Sequence, residues 1–155
     1  MKFPTQLWLA VLCTPLLLAA GPAAGGRFDG NWTTSLACEA HEETPAYKWD
    51  FPSVIKDGVF HGQHGEQGGP GYLVIDGPIA ADGSAKLSAN GTVQHTHAHG
   101  VFALKGNNYS YTIKAQFTEI KGAGTRDEGA GILGRPCTFE FTKQPDPSTP
   151  APPSN

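Results

Sequence analysis

His95, His97 and His99, in the run HTHAH, have the side-chain type and spacing for metal chemistry. On a strand, residues i, i+2 and i+4 point to one face about 7 Å apart, so neighbouring imidazoles of this run can chelate one divalent ion. Imidazole suits zinc, copper or nickel. A third ligand is available in His61, His64 or Glu66 if the hairpin that carries them lies beside the histidine strand. The competing reading makes Gln94 to Gly100 a polar loop or solvent-facing strand whose histidines only keep it soluble. The local sequence also lacks the carboxylates that usually orient metal-bound imidazoles. The first expectation is therefore no cofactor, with zinc or copper as the alternative.

The other reactive side chains do not assemble into a catalytic set. Asp57, Asp76 and Asp82 each precede a glycine, and Asp-Gly at a hairpin turn leaves its carboxylate exposed for a purely conformational reason. Cys38 to Glu43 brings a thiol, a histidine and three acids together, but the run has the look of a solvated loop before Pro45. Gly65 to Gly71 lacks the Lys-Ser/Thr ending and following helix of a phosphate loop. No serine stands in a nucleophile elbow. No catalytic residue is expected.

These side chains need elements to hold them, and the chain offers strands. Stretches rich in Val, Ile, Thr, Tyr and Phe are cut by Asp57-Gly58, Asp76-Gly77, Asp82-Gly83, Asn90-Gly91 and Gly106-Asn107-Asn108, the signature of strands joined by hairpins. The pattern predicts strands near 29–37, 46–56, 59–64, 71–79, 84–90, 92–104, 109–118, 121–127 and 136–142. Alternation is clearest where Tyr109, Tyr111, Ile113, Ala115 and Phe117 share one face. No window carries a helical apolar stripe. About eight short strands with one buried face must stack or close on themselves to dispose of their edges. The fold class is all-β, an antiparallel up-and-down meander closing into a small barrel. Trp32, Trp49, Phe51, Phe60, Tyr72, Phe102, Tyr109, Tyr111, Phe117, Phe139 and Phe141 suffice to fill it. If one mouth is wide enough, some of them line a pocket for a small apolar molecule.

The two ends of the chain stand outside this pattern. Lys2 followed by the apolar run Leu7 to Ala20 and then small residues has the layout of a secretory signal peptide, assigned to residues 1–23. The run is too short for a convincing membrane span. Its removal leaves two cysteines, Cys38 and Cys137, in a compartment where disulfides persist, so a bridge between them is the default expectation. The barrel domain is placed at 27–143. Residues 144–155, QPDPSTPAPPSN, hold five prolines and no large apolar side chain, the composition of an extended, disordered tail.

Gly30-Asn31-Trp32 in the first strand resembles the G-x-W motif that opens lipocalins and other calycins, including the avidins. The resemblance implies that Trp32 plugs one end of the barrel, with Arg126 or Arg135 from the last strands stacked on it. The wider set FDGNW, DGSAKL, YSYTIKAQF, GAGTR and GRPCTFEF also resembles small exported bacterial proteins of unassigned function. No set of biotin-contacting residues accompanies the motif, so no ligand is carried over. A bacterial origin makes the sequons at Asn31, Asn90 and Asn108 coincidental.

Composition sets the outer bounds. The chain has 155 residues, 11 Lys+Arg against 14 Asp+Glu and a net charge of -3, without a basic cluster for nucleic acid or an anionic membrane. One domain is all the length supports. These residues predict a periplasmic or extracellular, non-enzymatic barrel that binds a small molecule or another protein, with no stable membrane insertion once the leader is cleaved. The alternatives are a transition-metal protein or metalloenzyme using HTHAH, and an envelope structural or inhibitor protein.

Overall fold

In the computed structural model, which describes residues 26–40, 45–93, 106, 108–127 and 135–145, eight stretches of alternating burial form strands. They are β1 (Gly30–Cys38), β2 (Tyr47–Lys56), β3 (Val59–His64), β4 (Leu73–Pro78), β5 (Ser84–Thr92), β6 (Asn108–Phe117), β7 (Lys121–Arg126) and β8 (Cys137–Lys143). Each pairs antiparallel with the next, and β8 returns to β1 from Trp32↔Lys143 to Cys38↔Cys137. The sheet therefore closes into the expected all-β, up-and-down barrel, and closure removes every open edge. Among the described residues there is no helix. Cys38 and Cys137 face each other across the closing seam and are joined by a disulfide.

Two of the expected turns are real. Asp57 and Gly58 both have positive φ, 53° and 73°, as a two-residue hairpin of matching twist requires. The Asp29 carboxylate accepts both of their backbone N–H groups, at 3.0 and 3.1 Å. At the second turn Asp82 accepts the N–H and hydroxyl of Ser84, and Gly83 has φ +85°. A Cβ on Gly83 would stand 2.1 Å from the Phe117 carbonyl oxygen, so only glycine fits there.

Two other expected turns are corrected. Asp76-Gly77 lies inside β4, opposite His61 and Phe60, and Asn90-Gly91 lies inside β5, opposite Ser110 and Tyr109. Both glycines serve close approach within the sheet: a Cβ on Gly77 would press on Leu87 at 3.0 Å. The strand expected at 84–90 runs on to Thr92, while the one expected at 92–104 falls on residues 94–105, which lie outside the described residues.

The core follows from the register, because cross-strand partners share a face. Trp32, Thr34 and Leu36 point inward from β1; Phe51, Ser53 and Ile55 from β2; Leu87 and Ala89 from β5; Phe139 and Phe141 from β8. With Phe60, Leu73, Ile75, Ile113 and Phe117 they fill the lumen, as an eight-stranded barrel allows. The one buried polar pair, Thr34 with Ser53, is satisfied by a mutual hydrogen bond of 2.8 Å.

Candidate functional site

The barrel ends differ in chemistry. At the end where β1 begins, Trp32 is 1% exposed and donates its indole N–H to the Phe28 carbonyl at 2.9 Å. Phe117 meets it edge-on at 5.7 Å, and Phe28 is fully buried beside it, so this end is plugged. The cation beside the Trp32 ring is Lys143, its Nζ 6.0 Å away. Arg126 and Arg135, expected there from the resemblance, stand at the opposite end.

That opposite end is built from the inward positions nearest the disulfide. Cys38↔Tyr47 and Leu36↔Trp49 place two aromatics of β2 over the seam. The chain His64↔Leu73↔Gly91↔Tyr109 carries the rim from β3 to β6, and Ile113↔Arg126 turns a guanidinium inward from β7. All of Tyr47, Trp49, His64, Tyr109 and Arg126 are half-buried, as residues at a mouth must be.

These groups are stacked in two walls. Trp49 and His64 lie parallel at 4.2 Å, with Tyr47 against Trp49 at 4.7 Å. Tyr109 and Tyr111 lie parallel at 5.9 Å, and the Arg126 guanidinium sits 4.5 Å over Tyr111. Arg135 covers Tyr47 at 4.9 Å and donates to the carbonyls of Glu39 at 3.1 Å and Pro45 at 2.7 Å, which fixes the rim. Burial raises the Tyr47, Tyr109 and Tyr111 pKa values, and neighbouring tyrosines reinforce the rise at Tyr109 and Tyr111. Arg126 opposes it at all three, so one cation lies within electrostatic reach of three protonated phenols.

Arg126 has no carboxylate partner among the described residues. The adjacent Asp127 pairs instead with Lys114 at 3.1 Å. A half-buried guanidinium with aromatic walls and phenolic donors is chemistry for holding an anionic group on a small ligand.

The histidines divide. His61 points outward from β3, its Nδ1 2.6 Å from the Asp76 carboxylate, whereas His64 points inward and its Nδ1 lies 3.0 Å from the Gly71 carbonyl. The two face opposite sides of the sheet and cannot share an ion. His95, His97 and His99 lie outside the described residues. Among the described residues no group of three His, Cys, Asp or Glu side chains comes together. The sequence names Tyr109 and Tyr111 as core filling or as lining for an apolar pocket and does not single out Tyr47; the alternation from Tyr109 to Phe117 is the signal for the first two, and Arg126 joins them through its pairing with Ile113.

Compared with known protein families, characterised proteins and solved structures, the chain matches none, and the geometry alone carries the functional argument.

Proposed function

We propose that the protein is an exported, non-enzymatic binding module, a calycin-like barrel that takes a small anionic ligand at the end away from Trp32. The observation behind this reading is Arg126, an inward-facing guanidinium stacked on Tyr111 beside Tyr47 and Tyr109. A charge held half out of water, with no carboxylate partner among the described residues, favours a ligand that brings one. The walls of Trp49, His64, Tyr109 and Tyr111 favour an apolar or planar body behind the charged group. The disulfide and the leader-like residues 1–23 support export, since such bridges persist in oxidising compartments.

The test is titration with anilinonaphthalene sulfonate, an anionic aromatic probe, followed by competition with benzoate and oleate. The probe is expected to bind one site per chain. Arg126→Gln should weaken it about 10-fold or more, the scale of a lost hydrogen bond to a charged group. Unchanged affinity in both Arg126→Gln and Tyr111→Ala would remove that end of the barrel as the site.

A further inference from the structure

A second concavity lies on the outer side of the same barrel end, where the segment between β3 and β4 folds across β5. It is a shallow, solvent-open concavity of about 520 Å³, within the roughly 300–1,000 Å³ usual for small-molecule sites. Its wall is stapled by backbone bonds, from Gly71 N–H to the Thr92 carbonyl at 3.1 Å and from Thr92 N–H to the Tyr72 carbonyl at 2.8 Å. The Thr92 hydroxyl closes on the Gly69 carbonyl. The cleft is thus preformed rather than left to a loose loop.

The register of β5 on β6 decides what it presents. Asn90↔Ser110 and Thr92↔Asn108 share the outer face, so the Asn90 amide and the Ser110 hydroxyl stand directly opposite at about 5 Å, with the Asn108 amide about 7–8 Å from Asn90 on the diagonal. Gln67 adds an amide from the loop, and Tyr72 adds a ring. Gly91 makes this possible. A Cβ there would fall 2.5 Å from both the Tyr109 hydroxyl and the Tyr72 carbonyl, so glycine lets the Tyr109 ring lie against the strand.

Among the described residues lining the cleft, none is a carboxylate, ammonium, guanidinium or imidazole. These residues offer a charged ligand no counter-charge. A purely apolar ligand would strip water from amides that gain nothing in return. Amide and hydroxyl groups that donate and accept at close spacing, beside an aromatic face, match a molecule whose alcohol groups also do both and whose ring C–H faces are apolar. We propose that this cleft binds a neutral saccharide, with Asn90, Asn108 and Ser110 on its hydroxyls and Tyr72 against a sugar ring. The inference does not rest on the anionic ligand at the mouth, since Asn90, Asn108, Ser110 and Tyr72 take no part in that site.

Asn90 and Asn108 each head an N-glycosylation sequon, so the protein for the test is made in a bacterium, which leaves both amides free. The full chain, isotope-labelled, is titrated with the trioses of the cello, malto, laminari, xylo and chito series while amide shifts are followed. One or more trioses should shift the resonances of residues 67–72, 90–92 and 108–110. The pair Asn90→Ala and Asn108→Ala should weaken that binding about 10-fold or more. Tyr72→Ala should weaken it similarly, and Tyr72→Phe should restore it. Arg126→Gln should leave it unchanged, which separates this cleft from the mouth. Absence of shifts for every triose, or shifts located elsewhere on the wild-type protein, would overturn the assignment without any variant having to fold.

Discussion

Replacing Cys38 and Cys137 by serine together removes the covalent staple while leaving the β1–β8 ladder in place from Trp32 to Ala37. The two cysteines are 99 residues apart in sequence. A cross-link over a loop of about 100 residues lowers the entropy of the unfolded chain by the equivalent of about 4.7 kcal/mol at 25 °C, and observed effects are typically 2–4 kcal/mol. The double variant should therefore lose about 3–5 kcal/mol, a large share of the 5–15 kcal/mol that domains possess. With a urea slope of about 1–3 kcal/mol/M, the midpoint should fall by about 2 M. The assay is urea unfolding followed by tryptophan fluorescence, with the indole N–H resonance of Trp32 as a check on the native plug. A loss below about 1 kcal/mol at unchanged slope would refute the loop argument and mean that the unfolded chain already holds β1 and β8 together.

The remaining predictions concern packing, a turn and the mouth. Trp32→Ala should cost about 3–5 kcal/mol, because it empties a fully buried site and leaves the Phe28 carbonyl without its donor, read as a lower urea midpoint. Gly83→Ala should cost at least about 1–3 kcal/mol from its positive φ alone, with the Phe117 carbonyl clash added, while Ala at exposed Gly68, where the added Cβ meets nothing, pays only the φ term. In alkali, the folded-state pKa values of Tyr47, Tyr109 and Tyr111 stand above their unfolded ones, so their contribution is complete below about pH 10 and is lost as pH rises through the folded values. Absorbance at phenolate wavelengths should show these three ionising above the ordinary tyrosine range, and ordinary titration of all of them would contradict the buried mouth.

Strand type and barrel closure were legible because one face of nearly every strand is buried, and burial writes itself as alternation, as from Tyr109 to Phe117. The dipeptides were less reliable. Asp57-Gly58 and Asp82-Gly83 turn the chain, whereas Asp76-Gly77 and Asn90-Gly91 run straight through strands. The same glycine serves a positive φ in the first pair and a close neighbour in the second, and only the partner across the strand tells them apart: Leu87 for Gly77, Tyr109 for Gly91. The arginines failed for a related reason. An inward position at Arg126 is fixed by its pairing with Ile113, and a one-residue change of register would have sent it to solvent.

The same dependence on register explains why the two candidate sites sit where they do. Toward the Trp32 end, inward positions are filled by Phe60, Phe117 and Phe141, with ring centroids 4.8–5.9 Å apart, and no room remains. Toward the disulfide, β3, β4 and β5 place His64, Leu73 and Gly91 in one cross-strand row, and the step down to glycine is where the wall thins. Tyr109 occupies that gap from inside while Tyr72 and Asn90 frame it from outside. A methyl group at Gly91 would meet the Tyr109 hydroxyl of the inner wall and the Tyr72 carbonyl of the outer one, each at 2.5 Å, so Gly91→Ala is the single change that disturbs both sites.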